Sequence, residues 1–92
     1  MKKLAISRKH NLTQLECKLV AQGLLDKLVG SYGGIVKDAG DDLEYEHPAG
    51  VKALVESRHD CLNVNIEFGL FSSALAPKLE TEVNRVLDKY IS

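Results

Sequence analysis

The chain has 92 residues, of which 45% are hydrophobic, and a formal net charge of −1. That is apolar enough for one small core and too apolar for intrinsic disorder, so one domain over residues 1–92 is expected. The near-neutral balance excludes a global attraction to nucleic acid or anionic membrane, and no apolar run approaches the ~20 residues that span a bilayer.

The chain opens Met1-Lys2-Lys3, and Arg8, Lys9 and His10 arrive before an apolar leader can form, so no signal peptide is expected. Leu4, Ile6, Arg8 and His10 alternate with Lys3, Ala5, Ser7 and Lys9. Period two means a strand, with Leu4 and Ile6 turned to the core and Arg8 and His10 on the same side. Thr13 followed by Glu16 is a capping-box pattern. Leu15, Leu19, Val20, Leu24 and Leu28 then recur at helical spacing. The spacing predicts a helix over about residues 14–29, stopped by Gly30, Ser31, Gly33 and Gly34. Gly23 falls inside it, where close packing on a neighbour would explain a residue that disfavours helix.

Four strands fit between three turns. Residues 35–39 precede the turn Gly40-Asp41-Asp42, residues 43–47 precede Pro48-Ala49-Gly50, and residues 51–56 precede Arg58-His59-Asp60. In the last strand Leu62, Val64, Ile66 and Phe68 alternate with Asn63, Asn65 and Glu67, which predicts one buried and one wet sheet face. The segment 69–73 leads to a second helix, with a separate turn at residues 73–76 and Pro77 in its first turn. Leu75, Leu79, Val83, Val86, Leu87 and Tyr90 form its apolar stripe.

The order β-α-β-β-β-β-α predicts an α+β fold. Its five-stranded antiparallel sheet has the order 1-5-4-3-2, and both helices cover one face. This is a reduced helix-grip arrangement. In that order the second strand is an edge. Ile35, Val36 and Ala39 there are lightly guarded by Lys37 and Asp38, which predicts weak homo-oligomerisation. Two cysteines, Cys17 and Cys61, are too few for a disulfide framework; both are expected to be reduced, in the cytoplasm.

The run Ile6, Arg8, His10 and Leu12 ahead of an amphipathic helix resembles the start of the polyhydroxyalkanoic acid system proteins. The closing run from Gly69 through Leu75 to Leu87, Asp88 and Lys89 resembles the end of the same family. The resemblance implies a small bacterial protein associated with polyhydroxyalkanoate (PHA) storage. It implies no catalytic residues.

The predicted topology brings Arg8, Lys9 and His10 near Arg58, His59 and Cys61. Arginine and histidine together can hold a carboxylate or phosphate, so Arg8, His10, Arg58 and His59 are the candidate anion- or partner-binding residues. The competing reading is a solvated strand end, with Arg8 paired to an internal carboxylate such as Glu16 or Asp60. Histidine and cysteine also suit metals, but no close-spaced ligand quartet is present, and no metal site or cofactor is expected. Asp38, Asp41, Asp42, Glu44 and Glu46 read as a solubilising turn and wet face, with Lys37 and Lys52 able to pair across strands. Ser72-Ser73 lacks a nucleophile elbow and reads as a helix start. Residues 30–34 lack a phosphate loop's closing Gly-Lys-Ser/Thr. Tyr32, Tyr45, Phe68, Phe71 and Tyr90 are too scattered for a base-stacking platform, and most should be core. Two functions fit. The first is a non-enzymatic accessory or interaction protein with a protein partner or granule surface. The alternative is a small module holding an apolar acyl-type ligand between helices and sheet. Enzymatic activity stays open, with no motif to specify it.

Overall fold

A computed structural model describes residues 2–70 and 72–91. The strands are β1 (Lys2–Lys9), β2 (Ile35–Ala39), β3 (Asp42–His47), β4 (Val51–Ser57) and β5 (Cys61–Phe68), and the helices are α1 (Gln14–Tyr32) and α2 (Ala76–Tyr90). A 3-10 turn at Ser73–Leu75 precedes α2, as the serine-rich lead-in predicts. The sheet runs β1-β5-β4-β3-β2, and every neighbouring pair is antiparallel. No helix among the described residues is long and apolar enough to cross a membrane.

Register follows from alternation. Leu4 sits opposite Ile66, Ile6 opposite Val64, Val55 opposite Val64 and Tyr45 opposite Ala53. A slip of one residue would turn all of these outward. The inward set packs against Leu24, Leu25 and Leu28 of α1 and against Leu79, Val83 and Leu87 of α2 in one cluster. Val64, Ile66, Leu79 and Val83 lie at its centre, each at most 3% exposed. Burying such side chains stabilises the fold by ~1.5–3 kcal/mol each. Tyr45 and Phe68 are core, whereas Tyr90 is half exposed and Tyr32 intermediate. The expectation for Phe71 falls outside the described residues.

Helix α1 departs from its expected rotation. Its capping box is present, with Thr13 Oγ1 accepting from the Glu16 N–H and Glu16 Oε1 accepting from the Thr13 N–H. The buried side chains are Cys17, Ala21, Leu24, Leu25 and Leu28, while Leu15 and Leu19 stand 68% and 56% exposed. Small Cys17 and Ala21 let the helix approach the sheet closely. Gln14 Nε2 donates to the Ser57 carbonyl at 2.6 Å and Lys18 Nζ to the Gly40 carbonyl at 2.6 Å, which fixes the roll. Gly23 does not pack on a neighbour: a Cβ there would find nothing within 4 Å.

The helix also runs past Val29 through Gly30 and Ser31 to Tyr32, because the half-buried Tyr32 packs on the core. Gly33 ends it at φ +80, its N–H donating to the Val29 carbonyl. Gly34 follows at φ +99, where a Cβ would lie 2.7 Å from the Glu46 oxygen and 2.9 Å from the Tyr45 ring. Only glycine fits that passage. At the start of α2, Ser72 and Ser73 do not cap. Their hydroxyls donate backwards, to the carbonyls of Gly69 and Leu70.

Candidate functional site

The end of β1 and the β4–β5 turn do meet. The His10 N–H donates to the Asp60 carbonyl and the Arg58 N–H to the Cys61 carbonyl, both at 3.0 Å. His10 is 9% exposed. Its Nδ1 accepts from the Leu12 N–H at 3.0 Å, which leaves Nε2–H to donate to the Arg58 carbonyl at 3.0 Å. Both ring nitrogens are thus engaged by main chain, in a neutral tautomer fixed by its partners. His47 repeats the arrangement at the opposite end of the sheet, with Nδ1 accepting from the Ala49 N–H and Nε2 donating to the Tyr32 carbonyl. Each ring tightens a local turn and ties it to another element.

Arg8 points to the helix side. Nη1 donates to Asp88 Oδ1 at 2.6 Å and Nη2 to Asn84 Oδ1 at 2.7 Å. The acceptors are one turn apart on α2, a spacing that matches the guanidinium fork. The internal partner is therefore Asp88, supported by Asn84, in place of the expected Glu16 or Asp60. The Arg8 side chain keeps 28% exposure.

Arg58 lies on the other, wet face of the sheet. Nη1 donates to Asp42 Oδ1 and Nη2 to Glu56 Oε2, each at 2.7 Å. Donating to Asp42 raises the Arg58 pKa above the ordinary arginine value; burial opposes this, and the charges of Asp42, Glu56 and Asp41 add to the rise. His59 is 90% exposed at the tip of the turn, 4.0 Å from Asp60 Oδ1. The four candidates are thus adjacent in the backbone but divided by the sheet. Arg8 sits on one face, Arg58 on the other, His10 is enclosed between main-chain partners, and His59 projects to solvent.

The cysteines are also separated. Cys61 pairs in register with Lys9 on the wet face, where its sulfur accepts from Asn63 Nδ2 at 3.8 Å. Cys17 is fully buried on the helix face, and both are free thiols. Burial pushes the Cys17 thiol above its usual range, against the opposing pull of the Ser57 hydroxyl and the Arg58 main chain. Ser57 Oγ is itself buried and makes no hydrogen bond of ordinary geometry among the described residues, so the thiol is its neighbour and not its acceptor.

Asp38, Asp42 and Glu46 of the acidic group have basic partners. Asp38 lies 3.4 Å from Lys18, Glu46 lies 3.7 Å from Lys37, and Asp42 pairs with Arg58. Among the described residues no three His, Cys, Asp or Glu side chains gather as metal ligands would. Sequence reasoning did not reach Asn84, Asp88 or the twin role of His47. The spacing of Asn84 and Asp88 is legible, but their meeting with Arg8 depends on where α2 crosses β1.

The pattern of the family described as "Putative polyhydroxyalkanoic acid system protein (PHA_gran_rgn)" matches residues 4–91 of the chain. No curated protein and no solved structure matches it.

Proposed function

Because the chain belongs to the polyhydroxyalkanoic acid system family, we propose that it is a non-enzymatic accessory protein of polyester storage, acting through its outer surface on the granule or on a protein of the granule surface. The observation that carries this reading is the filled space between helices and sheet. Tyr45, Phe68, Leu24, Leu25, Leu62 and Val55 occupy it, each at most 2% exposed. An acyl chain between the layers would have to displace side chains packed at interior density, which favours surface contact over an internal ligand. The polar corner supports the same reading, since His10, Arg8 and Arg58 are engaged with groups of the chain itself.

Granule isolation tests it. Cells accumulating polyester, with the chain tagged at its native level, are fractionated on a density gradient. The chain is expected to sediment with the granules and to stay in the supernatant when polyester synthesis is blocked. The same distribution in both conditions would overturn the reading.

A further inference from the structure

The sheet ends in two edges, β2 and β1. The β2 edge spans five residues and is guarded. Asp38 faces inward there, and Lys18 reaches over it to the Gly40 carbonyl at 2.6 Å. Inward charges and edge lysines are barriers to strand pairing. The β1 edge runs over eight residues, Lys2–Lys9, and pairs with β5 alone. Leu4 and Ile6 on its inward side are only half-buried, whereas Val64, Ile66, Val55 and Ala53 further into the sheet are at most 5% exposed. The difference is the missing neighbour on the outer side of β1.

Charge decides what fits there. Strand β1 carries Lys2, Lys3, Arg8 and Lys9 and no acid. Lys3 lies 3.6 Å from Glu67, and Arg8 is held by Asp88. Lys2 and Lys9 make no ion pair among the described residues. Both are exposed, at the two ends of the strand and on opposite faces of the sheet. A second copy would meet its own charges. Paired antiparallel over most of the strand, two copies set Lys2 against Arg8 in the register centred on Ala5, and Lys3 against Lys9 in that centred on Ile6.

We propose that the β1 edge takes an extended acidic segment of a partner protein, added antiparallel as a further strand of the sheet. Main-chain hydrogen bonds supply affinity in such an addition, and side chains supply the choice of partner. In the matching register one acid of the segment meets Lys9 and another, at the far end, meets Lys2. Apolar residues between them lie beside Ile6 and Leu4 and close the inward side. Small polar residues lie beside Ser7 and Ala5 on the wet face. The lysines that deter a second copy thereby select an acidic strand.

The inference stands apart from the storage reading, because the purified chain and a synthetic peptide test it. The probe is Glu-Ser-Thr-Val-Thr-Val-Thr-Glu, blocked at both termini, which places its acids opposite Lys9 and Lys2 and its valines opposite Ile6 and Leu4. Titrated to millimolar concentration into isotope-labelled protein at low salt, it should shift the NMR amide signals of β1 and leave those of β2 in place. The same peptide with lysine for both glutamates should bind about 10-fold more weakly, two exposed pairs being replaced by repulsion. The double variant Lys2→Glu, Lys9→Glu, its fold checked by circular dichroism and melting point, should prefer the lysine peptide. No shift with the acidic peptide, shifts centred on β2, equal binding of the two peptides, or a double variant that keeps the parent's preference would each overturn the proposal.

Discussion

Arg8 continues the inward face of a core strand, and its guanidinium is tolerated there because Asp88 and Asn84 meet it at the rim of α2. Since the pair is partly exposed, solvent screening limits its worth to about 1 kcal/mol. Arg8→Glu places two carboxylates together and should lower the urea midpoint, and adding Asp88→Arg should recover most of the loss. Failure of the reversed pair to recover any stability would show that Arg8 serves something other than α2. A second residue-scale test lies in the α1 cap. The Thr13 N–H, followed by the Thr13 side chain, holds the Glu16 carboxyl below its ordinary value. A carboxyl depressed in the folded state contributes stability that is present above its unfolded pKa and lost as pH falls through the folded one. Glu16 should therefore titrate below an ordinary glutamate by NMR. Glu16→Gln, which preserves the cap's geometry, should lack this acid-side loss. A midpoint at or above that of an unstructured glutamate would contradict the cap.

Among the elements, the strands were the most legible and α1 the least. Period two has only two faces, and the turns at Gly40-Asp41 and Pro48-Ala49-Gly50 fixed which residues could pair, so β5 and β4 read directly. A helix whose apolar residues are spread round its circumference among Glu16, Lys18, Asp26 and Lys27 has no such constraint. Leu15 and Leu19 continue a plausible stripe with Leu24 and Leu28, and nothing in their spacing reveals that small Cys17 and Ala21 take the sheet side. Gly30 and Ser31 read as a stop because glycine ends helices more readily than it continues them, and the pull of Tyr32 towards the core reversed that. The candidate corner was legible as a meeting of backbones. Its side-chain directions depend on the pleat, which sends Arg8 and Arg58 to opposite faces. Gly23→Ala offers the simplest check on α1, since the open space outside the helix accepts a methyl. It should raise stability in dilute solution by about 1 kcal/mol. A loss would mean that Gly23 already packs against something in the monomer.

At the scale of the molecule, the order β1-β5-β4-β3-β2 places β5 between β1 and β4, and the inward residues of β5 join the sheet's two halves to both helices. Ile66, 1% exposed and opposite both Leu4 and Ala53, occupies the middle of that junction. Ile66→Ala should cost ~2–5 kcal/mol, read from denaturant unfolding; an unchanged midpoint would mean the register is wrong. The same dense junction is the reason for assigning function to the surface. Native mass spectrometry of the protein purified gently from polyester-accumulating cells tests that claim most directly. The protein is expected at the bare mass of the chain. A stoichiometric adduct of acyl or lipid mass that survives exchange into volatile buffer would contradict it.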